Sequence, residues 1–552
     1  FFFVFVVKMR RNSVLAATAL AVADAKQALV FIGATGDNAL RVNGVWQGIY
    51  EAFAGGEFEN GVGIHVAMNT PHTEDELHND VRETLDPLYA SLQNNAGWSC
   101  KTADGDCSPE KFYQLVQLDI HAGRDSCAQT DHMASSLADY EKITMYLSIP
   151  PKYFGNWVEC GIKSWDNGTG RVHAAAEKPF GVSTEEATQL HQTFADGGLT
   201  DDNLHLVDHW LSFFMNKNLP VLRKLVEPRL GVTFNKDSVG QVIVKENEVR
   251  GLDGRGGFID TVGQVRDMVQ SHLLQVLGLA LIDPESESRS DAKLALLQKT
   301  ELNNCCHGQY KDFALEPKLT FHGDFADSTW CDVQFDVNTP EWTGVPVHIV
   351  TGKDMGELVY TVELHQKGGD GIVTFEVGKE ETGVAGVKVT NWPLVDDSKL
   401  VVPAGGFDVH QTVTVTPAVI DGTGYIVKYD MEDMYFPKPY SVMASALLNG
   451  NYGQSFVTWA ECLRSWEIVT SSGPEVCLDP APERVQVYRS PLEEGSECSA
   501  NQCSSESVCW QAQSVKDIYD GQFECNAEND VKYSSVSMYQ AKCHSSIPMV
   551  LV

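Results

Sequence analysis

At 552 residues the chain is too long for one ordinary core, and two or three domains are expected. Hydrophobic residues at 43% and charged residues at 21% are the proportions of a globular protein and exclude a largely disordered one. A formal net charge of −34 repels nucleic acid and anionic membranes, so a nucleic-acid-binding role is excluded and an anionic ligand needs a local basic pocket.

Residues 1–8 precede Met9 and read as extraneous sequence. From Met9 the pattern is that of a signal peptide over 1–25: Arg10 and Arg11, an apolar run from Val14 to Val22, and Ala23-Asp24-Ala25 as cleavage site. The apolar run is too short to span a bilayer, and no membrane span is expected in the mature chain. An organelle transit peptide or a buried first strand are the competing readings. Asn167-Gly168-Thr169 is an N-glycosylation acceptor that fits the secretory route.

Ala28 to Ile32 is a continuous apolar run, as in a strand buried on both faces. A glycine-bearing turn follows, then a helical pattern over Trp46 to Phe53 and a second strand over Val62 to Met68. Between 75 and 200, helical stretches alternate with short apolar runs such as Met145 to Ile149. That alternation predicts a parallel sheet covered by helices, a Rossmann-type α/β domain over 26–206. An α+β domain follows over 207–490. Residues 258–282 read as one long amphipathic helix. From 345 to 430 the period becomes two, with Leu358, Tyr360, Val362 and Leu364 on one side, which predicts a large, mainly antiparallel sheet. Residues 491–552 are rich in Ser, Cys and Glu and read as a separate, loop-rich tail.

Of the fourteen cysteines, five fall in that tail. No CxxC pair is matched by a second, so no metal site is expected and disulfides are. The seven cysteines from Cys462 onward are odd in number, so at least one pairs with the body, pairs between chains or stays free.

Four segments carry candidate chemistry. Gly33-Ala34-Thr35-Gly36-Asp37 follows the first strand, where glycines let the backbone approach a pyrophosphate. Glu177-Lys178-Pro179-Phe180-Gly181 can present an ammonium to a sugar oxygen. Asp208-His209 is the third. Gly254 to Gln275 is the fourth and contains Asp267 and His272, five apart and so near but not quite on one α-helical face. A lone glycine turn or a lone helical histidine is more often structural.

In order and spacing these segments resemble glucose-6-phosphate dehydrogenase, and Tyr146-Leu147-Ser148-Ile149-Pro150-Pro151 is similar to its Y-L-x-x-P-P segment. The likeness covers roughly residues 28 to 490. It implies oxidation of glucose 6-phosphate to the lactone with hydride transfer to NADP, NAD being the alternative cofactor. His272 would be the general base at the C1 hydroxyl, and Asp208 would hold its other ring nitrogen. His209 would bind the substrate phosphate. Lys178, Glu248 and Asp267 would hold sugar hydroxyls and the reacting oxygen, and Lys353 would add positive charge. Gly33, Thr35, Gly36, Arg41 and Lys178 would meet the cofactor. The resemblance also implies a cis peptide before Pro179 and a homodimer formed through the large sheet.

The chain departs from the family in one consistent way. Trp210 and Phe213 stand where the family has Tyr and Lys, and Leu358 stands where it has a basic residue. Each lost phosphate contact is worth about 1.5–3 kcal/mol, and Lys217 or Arg223 could compensate. On the cofactor side Leu40-Arg41-Val42 replaces a Lys-Lys run, and Asn69 lies near the family's 2′-phosphate arginine. Two other functions therefore stay open: a dehydrogenase for an unphosphorylated or different sugar, and a non-catalytic binding protein on a dehydrogenase fold. No lactonase activity is expected after residue 490. The expected compartment is the secretory pathway, in the endoplasmic reticulum lumen or outside the cell.

Overall fold

A computed structural model describes residues 27–489, except 41–43, 59–61, 69–72, 96, 116–119, 123–125, 253–255, 311–312, 314–326, 356–357, 378–383, 404–411, 431–434 and 451–454, and also describes 509–514. The expected leader, Arg41, Asn69, Gly254, Arg255 and most of the cysteine-rich tail lie outside the described residues. The chain divides into two compact units. The first takes its described residues from within 1–217, 403–413 and 430–460, and the second from within 218–402, 414–429 and 461–552.

The first unit is built on strands β1 (Gln27–Ile32), β2 (Val62–Met68), β3 (Ile120–Ala122), β4 (Lys142–Leu147), β5 (Val172–Glu177) and β6 (Leu204–Val207). The apolar runs over Ala28 to Ile32 and Ile143 to Leu147 are buried throughout, as strands covered on both faces require. The sheet order is β3-β2-β1-β4-β5-β6, all parallel, with a short antiparallel strand at the β6 edge, β18 (Phe456–Val457). This is the doubly wound order, which reverses direction between β1 and β4. The compact unit is not contiguous in sequence. Helix Pro439–Asn449 belongs to it, and its Tyr440, Met443, Ala444 and Leu447 share one core with Trp46, Ile49 and Phe53 of helix Val45–Ala54. Buried Glu51 accepts from the Lys438 backbone N–H at 3.1 Å and from the Ser441 hydroxyl, which fixes where the returning helix begins.

The second unit holds β7 (Val239–Asn247), β8 (Thr300–Tyr310), β9 (Trp330–Val337), β10 (Pro346–Gly352), β11 (Val359–Gln366), β12 (Ile372–Glu376), β13 (Val384–Thr390), β16 (Ala418–Ile420), β17 (Thr423–Asp430), β19 (Val485–Arg489) and β20 (Cys509–Ser514) in an 11-stranded sheet. The short strands β14 (Leu400–Pro403) and β15 (Thr412–Val415) belong to neither large sheet. The order is β16-β17-β13-β12-β11-β7-β10-β9-β8-β19-β20. Tyr360, Val362 and Leu364 are buried on one face of β11, as their alternation predicts.

The sheet is mainly antiparallel, as expected, with two parallel pairs, β7 with β10 and β8 with β19. Two expectations need correction. The tail is not wholly separate, since β20 adds to the edge of this sheet beside β19. The single helix expected over 258–282 is three segments. Helix Gly256–Gln264 breaks at Gly263, whose φ of 68° is left-handed; a π-helix runs over Val265–Leu273; and an α-helix follows over Leu274–Leu281. An α-helical periodicity count cannot register a change to i→i+5 bonding.

Candidate active site

In the first unit the glycine turn sits where the sheet reverses. Gly33 donates its N–H to the Ala67 carbonyl at 2.9 Å, and Gly36 donates to the Gly33 carbonyl at 3.0 Å. Gly33 has φ 90°, and a Cβ there would lie 2.3 Å from the Ser148 carbonyl at the end of β4. Only glycine allows the β1 turn to pass this close to the neighbouring strand. Trp46 Nε1 donates to the Ala34 carbonyl at 2.9 Å and holds the turn from below. Thr35 is half-buried on the same turn. A backbone cradle at the strand-order switch point, with no side chain at Gly33 or Gly36, fits the pyrophosphate of a dinucleotide.

The next two motifs are joined directly. Tyr146 Oη donates to Glu177 Oε1 at 2.5 Å, and both residues are buried. This bond locks the end of β5 to the end of β4, just before half-buried Lys178. The Lys178–Pro179 peptide is cis, as the resemblance implies.

Asp208 is 1% exposed and caps the 3₁₀ turn His209–Ser212, where its Oδ1 accepts the Trp210 N–H at 3.0 Å. The His209 ring stacks on Tyr440 with centroids 5.6 Å apart and planes at 13°. Trp210 is buried and packs edge-on against Phe213 at 5.7 Å. The two residues that replace the family's Tyr and Lys therefore form an apolar pair. Of the two possible compensating cations, Arg223 is excluded. Its Nη1 donates to the Ala280 and Ile282 carbonyls at 2.7 and 2.8 Å, and its Nη2 to Glu227 at 3.2 Å. Lys217, also buried, follows Phe213 by one turn, its N–H on the Phe213 carbonyl at 2.9 Å.

In the second unit Glu248 and Lys353 meet. Lys353 Nζ lies 2.5 Å from Glu248 Oε1. Burial alone would lower the lysine's pKa, but Glu248, Glu246 and Asp267 outweigh it and hold the ammonium above the ordinary lysine range. Glu246 is fully buried and accepts from Thr351 Oγ1 at 2.6 Å, and that hydroxyl in turn accepts from Gln264 Nε2 at 2.8 Å. This chain ties the entry of the π-helix to the end of β10.

The π-helix carries Asp267 and buried His272. Its i→i+5 bonding returns residues five apart to one face. The spacing that looked out of phase on an α-helix is in phase here. Arg266 turns away from this face, gripping both Asp479 carboxylate oxygens at 2.8 and 3.0 Å.

Sequence patterning passes over Tyr440, Glu246 and the π-helix. Only Pro439, at the first position of a helix, signals that a structured element begins beside Tyr440. Asp208, His209 and Lys178 belong to the first unit, and His272, Asp267, Glu248 and Lys353 to the second. Among the described residues, Cys305, His307 and Cys477 are the one cluster spaced for a metal, but the two sulfurs are joined to each other.

Comparison with known proteins gives a consistent result. A profile described as glucose-6-phosphate dehydrogenase, NAD binding domain, matches residues 30–218. A second, glucose-6-phosphate dehydrogenase, C-terminal domain, matches residues 226–510. The chain is 26% identical over 501 residues to glucose-6-phosphate 1-dehydrogenase of Leuconostoc mesenteroides, covering 85% of this chain and 95% of that one. It is 29% identical over 287 residues to the enzyme of the same name from Saccharomyces cerevisiae, covering 48% and 55%. Its fold is similar to the crystal structure of glucose-6-phosphate 1-dehydrogenase from Mycobacterium avium, with TM-score 0.63 and 22% identity over 84% of this chain and 94% of that one. A glucose-6-phosphate dehydrogenase solved with its substrate gives TM-score 0.63 and 20% identity over 86% and 96%.

Proposed function

The chain belongs to the glucose-6-phosphate dehydrogenase family, and from that premise we propose how its residues oxidise glucose 6-phosphate with NADP. The observation that carries the reading is the Lys353–Glu248 pair beside a π-helix that presents Asp267 and His272 on one face. This is a partly buried, charged cradle suited to a polyhydroxylated anion, next to a proton acceptor.

By the family resemblance, His272 would take the proton from the C1 hydroxyl, and Asp208 is the carboxylate assigned to stabilise the imidazolium that forms. Lys178, Glu248 and Asp267 orient the sugar hydroxyls. Lys353 offsets charge at the sugar, and His209, held flat by Tyr440, receives the phosphate. Gly33, Thr35 and Gly36 admit the dinucleotide. When bound, NADP accepts the hydride that C1 gives up.

Purified protein mixed with glucose 6-phosphate or free glucose, and with NADP or NAD, tests this at the nicotinamide absorbance. The reading expects reduction with glucose 6-phosphate and NADP. Reduction with glucose alone would assign a different sugar, and no reduction would remove the catalytic reading.

The secretory route is part of the proposal. It is supported by the leader pattern from Met9 and by disulfides Cys100–Cys107, Cys127–Cys160 and Cys305–Cys477. No helix among the described residues is long and apolar enough to cross a membrane. Fractionation of cells expressing the full chain, with protease protection of lumenal contents, tests the compartment. A homodimer through the 11-stranded sheet is supported by half-buried Ile243 and Ile372 on the side opposite its buried stripe. Sedimentation of the purified chain tests that assembly.

A further inference from the structure

We propose that Asn167 is a site of N-glycosylation, displayed on a rigid turn remote from the cofactor-binding edge. The proposal rests on the secretory reading of the N-terminus and is independent of the catalytic one. Asn167-Gly168-Thr169 is the single Asn-x-Ser/Thr acceptor, with x other than Pro, in the sequence.

The turn joins helix Phe154–Trp165 to β5. Its base is firmly held. Asp166 Oδ1 accepts the Arg171 N–H at 2.9 Å, and Asp166 Oδ2 accepts the Gly168 N–H at 3.1 Å. The Arg171 guanidinium donates to the carbonyls of Trp165, Ala138 and Tyr140 at 2.8, 3.0 and 2.6 Å. Its tip is open: residues 167–170 are all exposed. Gly168 has φ 83°, and a Cβ there would meet nothing within 4 Å. An oligosaccharide on Asn167 therefore has room outside the folded surface.

Within the acceptor, Thr169 Oγ1 donates to Asn167 Oδ1 at 2.6 Å. That bond engages the amide oxygen and not the Nδ2 hydrogens. In the transfer, Nδ2 attacks C1 of an oligosaccharide carried on a lipid pyrophosphate. The C1–N bond forms, the C1–O bond to pyrophosphate breaks, the amide loses one proton, and the lipid pyrophosphate leaves. No redox step is involved.

Position makes the modification compatible with activity. The turn enters β5 at its N-terminal end, whereas dinucleotides bind at the carboxyl ends of such strands. Helix Phe154–Trp165 is also clamped by Cys127–Cys160, so the display surface and a secretory-type crosslink share one element.

The full chain is expressed in insect cells in two forms, one with its own N-terminus and one behind an unrelated cleavable signal sequence. The expected result is a mobility shift removed by N-glycosidase, with Asn167 converted to Asp on the released peptide. The shift is absent in Asn167→Gln and in Thr169→Ala and retained in Thr169→Ser. Asn167→Gln keeps the wild-type rate of NADP reduction. A glycan found only behind the unrelated signal supports the site while removing the leader reading. A chain that is lumenal and disulfide-bonded yet unmodified at Asn167 overturns the proposal.

Discussion

Glu248 and Lys353 each stand one residue past the end of a strand, and they meet at 2.5 Å because those strands, β7 and β10, run parallel with Asn247 opposite Gly352. In an antiparallel pairing the two strand ends would lie at opposite edges of the sheet. The pair is the basis of the proposed sugar cradle. Lys353→Met removes the cation beside buried Glu246 and partly exposed Glu248, and removing one partner of a fully buried pair costs about 3–5 kcal/mol, an upper bound here. The expected outcome is a lower urea midpoint together with a KM for glucose 6-phosphate raised at least tenfold. Glu248→Gln, at a partly exposed residue, should raise KM with a smaller loss of stability. Urea titration and initial-rate kinetics measure both.

Lys217 carries the second prediction. With Phe213 packed on Trp210 and Arg223 held by backbone carbonyls, Lys217 is the remaining lysine or arginine of the segment 204–223 to test against the phosphate site proposed at His209. Lys217→Gln should raise KM for glucose 6-phosphate about 10- to 100-fold, the worth of one charge-assisted bond of about 1.5–3 kcal/mol. Phe213→Lys in the same chain should restore much of the loss. An unchanged KM in the single variant would separate Lys217 from the phosphate.

The third prediction concerns pH. His173 and His205 stack with ring nitrogens 3.2 Å apart. Burial, and then the Lys142 charge, pushes His173 down to about 4; burial, His173 and Lys142 push His205 down to about 3. Both rings are therefore neutral in the folded chain, while in the unfolded chain they protonate near the ordinary histidine value of about 6.5. Stability from this pair is complete above about pH 6.5 and falls as pH drops toward 4, by up to about 1.4 kcal/mol per pH unit for each proton taken up on unfolding. Urea midpoints of wild type and of His173→Gln/His205→Gln between pH 7 and pH 4 measure the difference. The wild-type curve should be the steeper.

Much of the first unit is legible in the sequence, because its strands are uninterrupted apolar runs and its turn is punctuated by glycine. Gly33 could be placed from spacing alone, and the structure adds the reason it must be glycine, the Ser148 carbonyl. Three features were beyond reach. The parallel β7–β10 pair joins segments about a hundred residues apart, and period-two alternation looks the same in either direction. The π-helix leaves no mark in residue type, so Asp267 and His272 looked misaligned. The return of Tyr440 to stack on His209 is a tertiary contact with no local signal.

The cysteines allow a fourth prediction. Cys305–Cys477 joins β8 to the segment after helix Trp459–Thr470, across 172 residues of sequence, whereas Cys331 and Cys462 are buried and free. Cys477 thus pairs with the body, one of the outcomes the odd count required. Peptide mapping without reductant should recover the Cys305–Cys477 pair, with Cys331 and Cys462 alkylated only after unfolding. Cys305→Ala/Cys477→Ala should lose about 2–5 kcal/mol of stability, the range for a long closed loop.

The most direct test of the catalytic account is kcat for NADP reduction at saturating glucose 6-phosphate in His272→Asn and Asp208→Asn, compared with wild type. The account predicts that His272→Asn lowers kcat by about 10²–10⁴-fold with KM little changed, and that Asp208→Asn falls in the same direction. A His272→Asn protein that keeps the wild-type kcat would contradict it.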